Sequence, residues 1–222
     1  GIFDGQGYKI SGLTAPMFDI VRGTICNLKL DANVEETLSA NVGRGLLVNR
    51  FIGTMDNVEV SGSINITGST ADYAAVGGVI GKIYGESTIT NVVNKAAVSG
   101  LGTARTYLGG IAGSTRYNNG SNLNVVINNC HNEGTITSTE GGSNRRGLGG
   151  ILGAGLSCKL ITMHSCSNSG AIVCNSKTSD LHIGGAVGSS LAALNLKDFV
   201  NKAPVTIAAD AGRTGDCAVG SV

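Results

Sequence analysis

Four variants of one six-residue phrase recur along the chain: Val76-Gly77-Gly78-Val79-Ile80-Gly81, Leu108-Gly109-Gly110-Ile111-Ala112-Gly113, Leu148-Gly149-Gly150-Ile151-Leu152-Gly153 and Ile183-Gly184-Gly185-Ala186-Val187-Gly188. Their first glycines stand 32, 40 and 35 residues apart. Such a period belongs to stacked repeats, in which each unit buries its apolar face only against its neighbours. One elongated unit is expected, rather than the one or two ordinary domains that 222 residues would otherwise allow.

Composition narrows the choice. Glycine at 35 residues is well above the usual ~7%, while proline numbers only 2, so the chain is neither collagen-like nor a proline-rich linker. Four Phe, five Tyr and no Trp suit short strands joined by tight turns better than a large aromatic core. A formal net charge of +1 gives no drive toward nucleic acid or an anionic membrane. No apolar run approaches the ~18 residues of a membrane helix, so no direct membrane insertion is expected of this segment. The opening Gly1-Ile2-Phe3 carries neither methionine nor a charged-then-apolar leader. It reads as an excised segment whose targeting signal lies elsewhere.

A second phrase recurs six times: Asn27-Leu28-Lys29-Leu30, Asn57-Val58-Glu59-Val60, Val92-Val93-Asn94-Lys95, Asn129-Cys130-His131-Asn132, Ser165-Cys166-Ser167-Asn168 and Phe199-Val200-Asn201-Lys202. The first two repeats lack the double glycine, but Gly45-Leu46-Leu47-Val48 and Ala15-Pro16-Met17-Phe18 occupy the place of Gly78-Val79-Ile80-Gly81. Apolar alternation at Leu28/Leu30, Val58/Val60 and Ile64/Ile66 argues for short strands with one buried face. Strands repeated every ~35 residues satisfy their backbone by pairing with their equivalents in the next turn, which yields parallel sheets. The expected fold is an all-β parallel β-helix of about six coils. At ~4.8 Å per coil the column would be about 30 Å long. The coils divide as 1–40, 41–73, 74–107, 108–147, 148–182 and 183–218, with a further coil beginning at 219–222.

Inside this column Val79, Ile111, Ile151 and Ala186 should stack inward, as should Val93, Cys130, Cys166 and Val200. The glycine pairs Gly77/Gly78, Gly109/Gly110, Gly149/Gly150 and Gly184/Gly185 are structural, set where a β-carbon would clash. Asn94, Asn132, Asn168 and Asn201 are likewise structural: corner residues that accept left-handed geometry and bond along the stack. Their alignment demands a one-residue adjustment in the first and last coils. The six cysteines, Cys26, Cys130, Cys158, Cys166, Cys174 and Cys217, lack CxxC spacing and read as small buried hydrophobes. A Cys130–Cys166 disulfide is left open, because equivalent positions in successive coils sit ~4.8 Å apart.

The opening Phe3-Asp4-Gly5-Gln6-Gly7-Tyr8-Lys9-Ile10-Ser11-Gly12-Leu13 resembles the entry strand of pectin-lyase-like right-handed β-helices. The glycine phrases resemble GLUG-type repeats of bacterial surface and adhesin-like proteins, some of them named immunoglobulin A peptidases. The resemblance, not the spacing, implies right-handedness. It also implies a secreted or cell-surface bacterial location. Val219-Gly220 stands 36 residues after Ile183-Gly184, and no amphipathic cap is visible. Further coils or another domain of the same chain are expected to follow.

No catalytic constellation emerges. The fifteen acidic residues are scattered, with only Glu35-Glu36 adjacent, and the paired carboxylates of a polysaccharide hydrolase are missing as a motif. Neither His-Glu-x-x-His nor Gly-x-Ser-x-Gly occurs. His131 and His164 fall near one another in adjacent coils, but strand alternation sends them away from Cys130 and Cys166, so no metal site and no cofactor are expected. The glycine phrases lack the lysine-threonine ending of a phosphate loop. What remains is a basic edge: Arg105, Arg145, Arg146, Lys177 and Arg213 fall in the loops between coils, with Tyr73 and Tyr107 at loop ends for stacking. Glu140, Asp180 and Asp210 in those loops support the alternative of an ordinary mixed-charge surface. The reading is a non-catalytic module that binds extracellular glycans or host glycoproteins. A polysaccharide-processing or peptidase-associated enzyme, with carboxylates converging in a groove, and a purely structural stalk are its alternatives.

Overall fold

The structure, a computed structural model, describes residues 1–39, 41–69, 72–100, 105–115, 123–139, 146–175, 180–207 and 217–220. Among the described residues the regular elements are all β-strands, and every strand pairing between successive turns is parallel. The chain winds into a β-solenoid of about five turns, close to the six coils expected.

Each turn contributes to the same series of ladders. The first joins Val42–Gly45, Tyr73–Gly77, Arg105–Gly109, Arg146–Gly149, Leu181–Gly184 and Cys217–Gly220 in that order. After the glycine corner a second ladder joins the start of Ile80–Asn94 to Ala112–Thr115, Leu152–Gly155 and Val187–Ser190. A third runs through Asn124–Asn128, Leu160–His164 and Ala193–Lys197. Two-residue strands follow at His131–Asn132, Ser167–Asn168 and Val200–Asn201. The turn closes with Ala97–Gly100, Ile136–Ser138, Ile172–Cys174 and Val205–Ile207. In the earlier turns these pieces merge into the long strands Phe18–Leu38 and Val48–Ser69, paired with each other along their length. Gly53 bends the second of them at φ 134°, where a β-carbon would stand 2.0 Å from the Gly23 carbonyl oxygen.

The column formed by Val79, Ile111, Ile151 and Ala186 is fully buried, as its phrase demands. The neighbouring column holds Cys130 and Cys166 as expected but is displaced by one residue at its two ends. Val93 pairs with His131, and Ser167 with Val200, so those positions share the outward side. Val200 is accordingly 47% exposed. The inward column is Val92, Cys130, Cys166 and Phe199. Likewise Gly45 pairs with Gly77 rather than standing at the place of Gly78.

With this register each of Asn94, Asn132, Asn168 and Asn201 lies two residues after an inward residue, and no adjustment is needed. Asn94 Nδ2 donates to Asn132 Oδ1 at 2.8 Å, Asn132 to Asn168 at 2.7 Å and Asn168 to Asn201 at 2.8 Å. Each amide also donates to the carbonyl two residues on: Ala96, Gly134, Gly170 or Ala203. The second glycine of each phrase makes room for this ladder. A β-carbon on Gly78 would stand 2.3 Å from Asn94 Oδ1, and one on Gly110 2.2 Å from Asn132 Cγ. The first glycine makes the corner itself, since a β-carbon on Gly109 would meet the Ala112 carbonyl oxygen at 2.0 Å.

Left-handed geometry belongs to a different column. Asn27, Asn57, Asn91, Asn129, Ser165 and Asp198 have φ between 48° and 54°. The division is physical: a left-handed residue turns the chain at the surface, whereas the buried asparagines sit in strand geometry and bond between coils.

Candidate cationic cleft

The first and second ladders fold back on one another so closely that only glycine fits between them. A β-carbon on Gly81 would stand 2.3 Å from Arg44 N, one on Gly113 2.4 Å from Val76 N, and one on Gly153 2.7 Å from Leu108 N. Beside this contact lies a small apolar cluster, separate from the main column, of Tyr73, Ala75, Tyr107, Ala154 and Leu156. The Tyr73 and Tyr107 rings stand 5.4 Å apart at 53°, and the Tyr73 hydroxyl hydrogen-bonds Ser114 Oγ.

In the register of these ladders Gly43 precedes Ala75 and Tyr107, and Arg50 precedes Lys82 and Ser114. Gly43 therefore leaves open the space its successors fill. A cleft of about 170 Å³ results, lined among others by Asp19, Asn41, Arg44, Arg50, Lys82 and Tyr84. Lys82 lays its stem over Gly43, where a β-carbon would meet Lys82 Cγ at 2.7 Å. Its ammonium sits 4.1 Å from the centre of the Tyr73 ring.

Three cations face this space, and two are matched. Arg50 pairs with Asp19 at 2.7 Å, and Arg44 Nε with Glu36 at 2.5 Å. The Arg50 hydrogen bond, then that from Asn49 Nδ2 at 3.2 Å, holds the Asp19 carboxyl below its ordinary value. Lys82 is 7% exposed and belongs to none of the ion pairs found among the described residues. Burial, then repulsion from Arg50, pushes its pKa down to about 8. A desolvated ammonium whose close partner among the described residues is an aromatic face is a cation disposed to receive an anion.

The expected basic edge is not assembled among the described residues. Arg105 is exposed, in register with Tyr73. Arg146 instead is fully buried. It shares a strand face with Leu148, points into the column and donates to Ser138 Oγ at 3.3 Å. Burial lowers its pKa. Tyr73 and Tyr107 are 2% exposed and pack between the two ladders instead of offering their rings to a ligand. Arg145, Lys177 and Arg213 lie outside the described residues.

The cleft residues escaped the sequence reading, although one pattern pointed to them. Arg50 and Lys82 each stand five residues after the equivalent glycines Gly45 and Gly77, a cation repeated at one place on two successive turns. Elsewhere, His131 Nδ1 meets Ser167 Oγ at 2.8 Å and Nε2 meets Asn129 Oδ1 at 3.0 Å. Among the described residues no three His, Cys, Asp or Glu side chains converge as a metal site would require. Cys130 and Cys166 are free buried thiols, donating to the carbonyls of Ile89 at 3.5 Å and Ile127 at 3.4 Å.

No protein-family model matches the sequence, and no curated protein matches it. Its fold is similar to the crystal structure of a protein described as a putative immunoglobulin A1 protease from Bacteroides ovatus. The TM-score is 0.64 at 21% identity, over 99% of this chain and 68% of that one. At that identity the likeness concerns the fold.

Proposed function

We propose that this chain is a non-catalytic β-solenoid module of a secreted or surface-anchored bacterial protein, and that it binds glycan on extracellular or host glycoproteins through the cationic cleft. The observation that carries this reading is Lys82, a buried ammonium turned to a solvent-connected cleft beside Arg50 and Arg44. The one carboxylate among the described residues that line that cleft, Asp19, is already engaged by Arg50 and Asn49. That arrangement favours holding a ligand over the two-carboxylate chemistry of glycoside cleavage. The solenoid supports the same role, since stacked turns present a rigid lateral surface.

The test is a glycan and host-glycoprotein array probed at low and physiological salt with the native chain and with a Lys82→Met/Arg50→Gln variant. Saturable retention that weakens at least tenfold in the variant, with every ligand recovered intact, is expected. A blank array would remove the reading in favour of a stalk. Cleaved glycan or cleaved immunoglobulin A1 would replace it with the enzyme alternative.

A further inference from the structure

We infer that the cleft recognises the end of a glycan through one singly charged oxyanion on its terminal sugar, a uronate or sialate carboxylate or a sulfate ester, seated between Lys82 and Arg50. This rests on the reading of the chain as a glycan-binding module and names the ligand group that the site takes.

Charge sets the first limit. Arg44 and Arg50 are each matched by one carboxylate, so among the described residues the cleft carries one uncompensated cation, Lys82, and accepts one negative charge. Arg50 donates to Asp19 through Nη2 alone, whereas a guanidinium offers five N–H donors in a planar fork. Arg50 is the register neighbour of Lys82 and lines the same cleft, so its remaining donors are at hand for an oxyanion placed there. An anion there would replace the water that the ammonium has lost, in surroundings where a charge-assisted bond is about twice as strong as a neutral one.

Volume sets the second limit. Small-molecule sites commonly enclose about 300–1,000 Å³, and this cleft offers about 170 Å³. It has room for the group that carries the charge, which a terminal sugar presents without chain on both sides. Asp19 gives the third. Held as a carboxylate at the rim, with its side chain 63% exposed, it is an acceptor for the hydroxyls of the same sugar. It also repels a second negative charge, which disfavours acidic peptides and densely sulfated chains.

The proposal is tested by calorimetric titration of the native chain with methyl β-glucuronide, N-acetylneuraminic acid methyl glycoside, glucose 6-sulfate, methyl β-glucoside and a glutamate hexapeptide. The singly charged sugars are expected to bind at least tenfold more tightly than the neutral glucoside and the peptide. The carboxylated and sulfated arms say which oxyanion is preferred. Lys82→Met should abolish that preference while Lys82→Arg retains it, both variants melting near the native temperature. Equal affinity for charged and neutral sugars, or an undiminished preference in Lys82→Met, overturns the inference and leaves glycan binding standing. Tighter binding of the peptide overturns the inference by making the site a reader of acidic protein. Absence of any binding, with a blank glycan array, overturns both.

Discussion

Asparagine does two jobs in this chain, and burial separates them. Asn132 is fully buried, donates to Asn168 and to the Gly134 carbonyl, and accepts from Asn94. Removing it strands polar groups on both neighbouring coils, at a cost of about 1–3 kcal/mol for each group left unsatisfied. Asn57 is exposed, left-handed at φ 54°, and its side chain bonds, among the described residues, to the half-buried Asn27. Glycine adopts that geometry freely. Asn132→Ala should therefore lower unfolding free energy in urea by about 3 kcal/mol, while Asn57→Gly should stay within roughly 0.5 kcal/mol of the native chain. Equal losses would mean that the buried ladder is not the stabilising column described here.

At the scale of the element, register is the controlling quantity. A strand has a period of two, so a one-residue slip exchanges its buried and exposed sides. Val93 and Val200 illustrate this: both are apolar β-branched residues beside apolar neighbours, and only pairing with His131 and Ser167 reveals their outward side. Ile151 is free of that ambiguity. It lies at 0% exposure between Ile111, whose amide donates to the Ile151 carbonyl, and Ala186, whose carbonyl accepts from the Ile151 amide. Ile151→Ala should cost about 2–5 kcal/mol through lost contact and residual cavity. Ile151→Asp should cost more, because its charge has no partner in the column. Hydrogen exchange should then show protection lost in the coils on either side as well as its own, since each coil is held only by its neighbours. A normally protected Ile151→Asp variant would show the register to be wrong.

Across the whole molecule, the parts legible in the sequence are those that every turn repeats. The glycine phrase forces a corner and a close approach in each coil, so Gly77, Gly109, Gly149 and Gly184 announced the solenoid and its aliphatic column. The cleft is an exception to the repeat. It exists where Gly43 stands in place of Ala75 and Tyr107, and where Arg50 and Lys82 stand in place of Ser114. A reading built on recurrence passes over a site built on departure from it. Arg146 departs from its expected place at the edge for a related reason. Position within a loop-rich stretch says nothing of face, and Arg146 enters a strand on its inward side.

The central claim is that Lys82 is a desolvated cation kept for an anion. Nuclear magnetic resonance of its 13Cε and 15Nζ atoms, followed against pH with and without methyl β-glucuronide, tests it most directly. The account predicts titration near 8 in the free chain, because burial disfavours the ammonium. It predicts an upward shift on ligand binding, because an adjacent anion favours the charged form, with affinity falling as pH rises from the free-state value of about 8 toward the bound-state value. Titration of Lys82 near the ordinary lysine value of about 10.4, unmoved by the acidic sugar, would contradict it.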